Sequence, residues 1–311
     1  MRETFIRIAG ITVKIKSHQA PKEGEGSLVA DEHFVLKEKP RRVDIELDLE
    51  VKPRYYKFKQ QLFFETRRDP AEIAILNYKE AEGYLGPGLV WRIAKMEEGI
   101  LIEGNTLVGY QLLVNKQLNK GKVYIINSNN QWDLNCIING WFLNILIIYY
   151  LSKYKVGLMV HSCALDDNGN GYIFAGRSGA GKSTISRIWG KLDSVRVLSD
   201  DRVVVRKDKG AYYIYPTPWH QCSTEYFKDM PGRSRLRKLF YITHGKTNFA
   251  DRVGALKGFH LFYPTLFLPF WDKECLDFTF DLLLEVFSKV PTYAFCFKNN
   301  YKVISYIRDL R

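Results

Sequence analysis

Gly171-Tyr-Ile-Phe-Ala175 is a short apolar run, and Gly176-Arg-Ser-Gly-Ala-Gly-Lys-Ser183 follows it directly. The octapeptide matches in full the P-loop (Walker A) pattern of a glycine, four residues, Gly-Lys and Ser/Thr. Gly176, Gly179 and Gly181 allow positive φ and close approach, so the amides of the loop, which also contains Arg177, Ser178 and Ala180, can converge on a β-phosphate. Lys182 adds a point charge near the β- and γ-phosphates, and the Ser183 hydroxyl is placed to ligate Mg²⁺. The flanks agree with that reading. The apolar run predicts a buried strand, and Thr184-Ile-Ser-Arg-Ile-Trp189 predicts a helix, so the phosphates would sit at a helix N-terminus. A strand–loop–helix of this kind predicts an α/β fold and a nucleoside triphosphate as ligand.

An acidic pair follows. Val195-Arg-Val-Leu198 is a strand candidate that ends in Ser199-Asp200-Asp201, and P-loop proteins place a metal-directed aspartate at such a strand end. Adjacent side chains of an extended chain point to opposite sides. One carboxylate can therefore address the metal with Ser183 while the other faces an incoming nucleophile, and the residues alone leave open which does which. Upstream, Val160 to Leu165 is an apolar strand carrying His161, and Asp166 to Gly171 (DDNGNG) is a hairpin turn that returns into the P-loop strand. His161 is thus expected on a strand beside the P-loop strand, where an imidazole can hydrogen-bond an active-site carboxylate and tune its pKa.

Taken in order, HSCALDDNGNGYIFAGRSGAGKSTIS and then LSDDRVVV resemble the catalytic domain of the HPr kinase/phosphorylase family, over about Val160 to Arg206. Within that group the chain is most similar to the HPr-kinase-related serine kinases, and the P-loop subclass is shared with ATP-dependent phosphoenolpyruvate carboxykinase. The resemblance implies an α/β, P-loop-containing HPr kinase/phosphoenolpyruvate carboxykinase-like catalytic domain that uses ATP and Mg²⁺ to phosphorylate a hydroxyl. It implies Asp200 as the carboxylate that takes the hydroxyl proton, with His161 supporting it and Lys182 on the phosphates. Ser183 and Asp201 would form the metal side, and Gly176 through Thr184 the nucleotide loop. The acceptor it implies is a serine of a peptide or small protein; the alternatives are free serine or another small alcohol, or a switch that binds nucleotide without transferring phosphate. Carboxykinase chemistry ranks behind these, because that family's additional metal-binding His and Lys are not recognisable. Thr184 replaces the glutamate of typical HPr kinases, and their second glycine-rich signature is missing, so phosphorylase activity is not carried over. By analogy with the family, a homo-oligomer is expected.

The remaining sequence fits a cytoplasmic enzyme. A chain of 311 residues that is 46% hydrophobic can bury a large core. Its five cysteines are scattered and odd in number, which argues against a disulfide framework or a structural zinc site. The N-terminus alternates apolar and polar residues and reads as a strand, not a signal peptide. CIINGWFLNILIIYYL, residues Cys136 to Leu151, is too short for a membrane span and is read as a buried helix that Trp132-Asp133 introduces.

Two regions emerge. Residues 1–132 hold repeated strand patterns at Phe5 to Lys16, Val43 to Val51, Tyr55 to Thr66, Leu89 to Lys95, Gly99 to Glu103 and Lys122 to Asn127, with a turn at Gly86-Pro87-Gly88, and predict a mostly β N-terminal lobe. Residues 133–311 are the expected nucleotide-binding domain. Its mixed α/β character rests on helical patterns at Asp281 to Lys289 and Tyr301 to Leu310 and a strand pattern at Thr292 to Phe297. Pro216-Thr-Pro-Trp-His220 is a stiff loop that either presents Trp219 and His220 to a ligand or is a rigid structural turn around a core tryptophan. Arg233, Arg235, Arg237 and Lys238 read as a basic loop, by default a solvated charge run and in the alternative a surface able to meet phosphate or an acidic acceptor. The net charge of +12 is dispersed, with no nucleic-acid motif, and leaves two readings open, an acidic macromolecular partner or attraction for ATP with a solvated surface, neither of which asks for nucleic acid.

Overall fold

The structure, a computed structural model, describes residues 1–19, 33–67, 89–105, 109–127, 132–220 and 232–310. The turn expected at residues 86–88, Cys222 and the start of the basic stretch at residues 229–231 lie outside them. The chain divides into two compact units, one of Met1–Arg7 with Ile11–Tyr150 and the other of Ile8–Gly10 with Leu151–Arg311.

The first unit is one eight-stranded sheet in the order β1-β2-β3-β8-β7-β6-β5-β4. Its strands are β1 (Arg2–Ile8), β2 (Ile11–Ser17), β3 (Ile45–Lys52), β4 (Gln61–Arg67), β5 (Leu89–Lys95), β6 (Gly99–Asn105), β7 (Gly109–Asn115) and β8 (Lys120–Ile126). The single strand expected over Phe5 to Lys16 is two, because Ala9 and Gly10 both take positive φ and turn the chain. The Asp133 carboxylate accepts from the Cys136 amide at 2.7 Å and opens α1 (Leu134–Ile138). The expected single helix over Cys136 to Leu151 is broken at Asn139-Gly140, and α2 (Trp141–Lys153) starts afresh. Its residues are apolar on every side and nearly all buried, as a helix without a polar face must be. Among the described residues no helix is long and apolar enough to cross a membrane.

The second unit is a nine-stranded mixed sheet. Its hub is β9 (Leu158–Asp167), a ten-residue strand flanked along its length by four others. β10 (Asn170–Ala175) returns from it through a hairpin in which Asn168 and Gly169 take positive φ, the requirement of a two-residue turn that matches strand twist. The other neighbours of β9 are β11 (Val195–Ser199), β12 (Arg202–Asp208) and the two-residue β16 (Leu266–Phe267). β13 (Ala211–Tyr215), β14 (Ser234–His244), β15 (Phe249–Arg252) and β17 (Thr292–Phe297) complete the sheet. One face packs on α4 (Ala255–Phe262) and α5 (Lys273–Lys289) through Val160, Val203, Leu239, Phe262, Leu283 and Phe287. The other face packs on α3 (Lys182–Trp189) and α6 (Lys302–Asp309) through Leu165, Phe174, Phe240, Trp189 and Ile304.

This corrects the expected α/β fold of the HPr kinase/phosphoenolpyruvate carboxykinase-like class. Of the described residues 44% are strand and 24% helix, in two large sheets, so the molecule is mostly β and lacks the makeup of a typical α/β P-loop domain. The reason lies in the connections. A parallel sheet needs a crossover for each strand pair, whereas β9 with β10 and β12 with β13 are hairpins joined by tight turns, and β12 pairs antiparallel with β9 as well. Among the described residues of the second sheet only β10 with β14 and β14 with β17 run parallel, and the first sheet adds the parallel pairs β2 with β3 and β3 with β8.

Candidate functional site

The loop leaves β10 at Gly176, crosses to Gly181 and enters α3 at Lys182. Gly179 and Gly181 have φ of 76° and 99°, a region in which a side chain would be strained. Gly176 is required for a different reason, since a Cβ there would fall 2.8 Å from the Ile242 carbonyl oxygen. The Lys182 ammonium reaches back across the loop and donates to the carbonyls of Gly176 at 3.0 Å and Arg177 at 3.4 Å. Burial pulls it below its ordinary pKa, against the opposing pull of Asp201 and Cys163. Arg177, Ser178 and Gly179 are exposed, while Ala180, Ser183 and Thr184 are half-buried at the start of the helix.

The acidic pair reaches this loop through β9. Ala175 pairs with Ser162 on one edge of that strand, and Arg202 pairs with His161 on the other. The Ser162 amide also donates to the Asp201 carbonyl at 2.9 Å. The end of the P-loop strand, His161 and the aspartates are thereby gathered within one register step of β9. The junction that holds Asp200 and Asp201 is a turn around Ser199, whose hydroxyl accepts from the amides of Asp201 at 3.2 Å and Arg202 at 3.1 Å. That hydroxyl in turn donates to the Trp219 carbonyl at 3.3 Å, and the Thr217 hydroxyl donates to the Arg202 carbonyl at 2.6 Å. The Pro216–His220 segment is therefore tied to the acidic turn.

The two carboxylates have different surroundings. Asp201 Oδ1 lies 3.2 Å from His161 Nδ1, and its Oδ2 lies 2.8 Å from Arg202 Nε. Burial pushes the Asp201 carboxyl up, but the His161 hydrogen bond and the charges of Arg202, His161 and His220 outweigh it, and the group stands below its ordinary pKa. Asp200 faces His220, with Oδ1 3.8 Å from Nδ1. The side chains are 1% exposed at Asp200, 6% at Asp201 and 35% at His161, so the imidazole is the part of this cluster open to solvent. The pairing of His161 differs from the expectation that it supports Asp200, because the register of β12 on β9 sets it beside Asp201.

Other expectations are redrawn. Trp219 is buried, which is the core-tryptophan alternative for this segment; its ring lies 6.0 Å from the Arg202 guanidinium, which has Phe267 at 5.0 Å as well. The basic stretch is no loop beyond Arg233. Arg235, Arg237 and Lys238 lie on β14, where Arg235 pairs with Asn170, at the end of β10 remote from Gly176. The Lys238 ammonium is occupied by the Ile307 and Leu310 carbonyls at the end of α6. Two contributors escaped the sequence reading. Arg202 was legible from its place directly after the aspartates, whereas His244, which reaches Gly179 from β14, carries no local signal at all.

A family model described as SynChlorMet cassette protein ScmC matches residues 124–230, roughly a third of the chain, and that span contains the loop, His161, both aspartates and the Pro216–His220 segment. The comparison with curated proteins returned no match.

Proposed function

We propose that this protein is a kinase that transfers the γ-phosphate of ATP to a hydroxyl, with a serine of a peptide or small protein as acceptor. The observation that carries the reading is the convergence on β9: a phosphate-type loop with its lysine on one edge, and an aspartate held as a carboxylate beside a solvent-facing histidine on the other. Phosphoryl transfer asks for positioning and charge stabilisation more than for covalent chemistry. The loop amides and Lys182 supply both at the β- and γ-phosphates. Mg²⁺ is a hard cation that takes one or two carboxylates together with phosphate oxygens, and the Ser183 hydroxyl with Asp200 would be the groups to hold it, since both oxygens of Asp201 are engaged by His161 and Arg202. When bound, it would neutralise phosphate charge.

On the acceptor side, His161 is the group that a hydroxyl can reach, and Asp201 orients it through Nδ1. The hydroxyl proton passes to Nε2, the ring nitrogen that Asp201 does not engage, as the oxygen attacks the γ-phosphorus and the bond to ADP breaks. This is a nucleophile, a base and an orienting group in sequence. The serine acceptor rests on the motif resemblance alone.

The test is incubation of the purified protein with γ-labelled ATP, Mg²⁺ and a panel of serine-bearing peptides and small alcohols. The expected result is ADP formation that rises with the right acceptor, and one acid-stable phosphate on a hydroxyl by mass spectrometry. ATP binding without turnover across the panel would make the chain a nucleotide-dependent switch, and release of CO₂ from oxaloacetate would make it a carboxykinase.

A further inference from the structure

The tip of the loop is braced by a residue outside the motif. β14 runs parallel to β10, with Ala175 beside Tyr241, and continues to His244. There the imidazole Nε2 lies 3.0 Å from the Gly179 carbonyl oxygen. The ring packs on Phe297 with centroids 5.3 Å apart, and Phe297 is the fully buried register partner of His244 on β17. The same two rings close around Gly181, where a Cβ would fall 2.6 Å from Phe297 Cζ and 2.9 Å from His244 Cε1. One histidine therefore serves both positive-φ glycines of the loop: it hydrogen-bonds the first and fills the space beside the second.

The contact constrains a whole peptide plane. The carbonyl of the Gly179–Ala180 peptide is held by His244, and its N–H donates to the Arg177 carbonyl at 3.0 Å. A carbonyl only accepts, so Nε2 carries the hydrogen. Glycine-rich backbone has many accessible conformations, and its amides cradle phosphate only in the one where they converge. A loop already fixed in that conformation loses less freedom when the nucleotide binds.

We propose that His244 is a positioning residue of the nucleotide site, holding the Gly179 carbonyl so that the loop is shaped for phosphate before nucleotide arrives. This rests on the reading of the loop as a nucleotide site. The effect belongs to binding and not to chemistry, so loss of the contact should raise KM for ATP and leave kcat almost unchanged.

The experiment compares His244→Gln, whose amide nitrogen reaches where Nε2 does, with His244→Phe, which keeps a ring against Phe297 and has no donor. Mg·ADP affinity is measured by titration calorimetry, together with the unfolding midpoint without nucleotide. The expected result is a loss of about tenfold in His244→Phe and recovery to within about threefold of the parent in His244→Gln, with unfolding midpoints alike. His244→Ala should lose affinity as His244→Phe does, and it answers the question if phenylalanine crowds the loop. Full affinity in both donor-free variants overturns the proposal, as does an equal loss in the glutamine variant. Failure of the parent protein to bind Mg·ADP would instead overturn the nucleotide-site reading on which the proposal rests.

Discussion

Asp200 and Asp201 are neighbours in sequence with different tasks in the structure. Both oxygens of Asp201 are engaged, by His161 and Arg202, and Asp201→Asn would leave the half-buried Arg202 guanidinium without its counter-charge. Breaking a buried ion pair from one side costs about 3 kcal/mol, read as a lower urea midpoint at neutral pH. The pH dependence follows from the depressed Asp201 pKa. The folded state favours the ionised form, so its stabilisation is fully present above the unfolded carboxylate value of about 3.9 and fades as pH falls through the lower folded value. The stability gap between parent and Asp201→Asn should be steady from about pH 5 to 8 and narrow below about pH 4; a gap of constant size down to pH 3 would mean that the carboxylate charge is not what matters. Transfer assays assign the base. Loss of about a hundredfold in His161→Gln and Asp201→Asn, with Asp200→Asn milder, is expected for a base at His161, and the reverse ranking would return that role to Asp200. Lys182→Ala should lower ATP turnover by about a hundredfold with an unchanged unfolding midpoint, because its hydrogen bonds go only to the loop it spans. The loop, the aspartates and His161 were all legible in the sequence, since each sits in a local pattern. Their pairings were not: His161 and Asp201 meet across 40 residues through the register of two strands, and His244 meets Gly179 across 65.

Among the elements, α3 shows why the loop can be rigid. Eight residues make too short a helix to persist alone, so its stability comes from the face formed by Ile185, Ile188 and Trp189. Trp189 is fully buried, meets the rings of Tyr172 and Phe174 at 6.0 and 6.5 Å, and lies under the Arg308 guanidinium at 5.6 Å. Arg308 is itself forked onto Asp167 with two contacts of 2.8 Å, so α6 is tied to the end of β9 over the same ring. Trp189→Ala should cost about 4 kcal/mol, as large aromatic truncations do, and weaken Mg·ADP binding in the fraction that remains folded. Unfolding in urea together with ADP titration checks both, and an unchanged midpoint would show that α3 does not hang on this ring. The elements most legible in sequence were those with strong turn chemistry, such as the Asn168-Gly169 hairpin, and those with a long periodic run, such as β3, whose apolar residues alternate with charged ones throughout. The rest were hidden by conflicting signals. Apolar alternation resumes directly after the Ala9-Gly10 turn, with only a one-residue slip of phase between Ile8 and Ile11 to mark it, and the arginines of β14 alternate with Leu236 in a strand period that their charge disguised as a loop.

At the scale of the whole molecule, the hydrophobic content predicted a large core, but the layer architecture was misjudged. A P-loop signature speaks for some thirteen residues, and the hairpin connections that make this chain mostly β are written elsewhere. The charge, by contrast, is a property of the entire sequence, and its consequence is kinetic. A net +12 gives a positive field that draws anionic partners from beyond contact distance, and mobile ions confine that field to about 10 Å at 0.1 M salt and about 3 Å at 1 M. If the acceptor is acidic, its KM should rise several-fold between about 0.05 and about 0.5 M salt, while kcat, which reports the assembled complex, holds steady. The control is the same acceptor peptide with its carboxylates replaced by amides, for which KM should be nearly flat over that range. Equal salt dependence for the two peptides would locate the effect in ATP, which both reactions share. Salt independence for both would mean that the dispersed lysines and arginines solvate the surface and steer nothing.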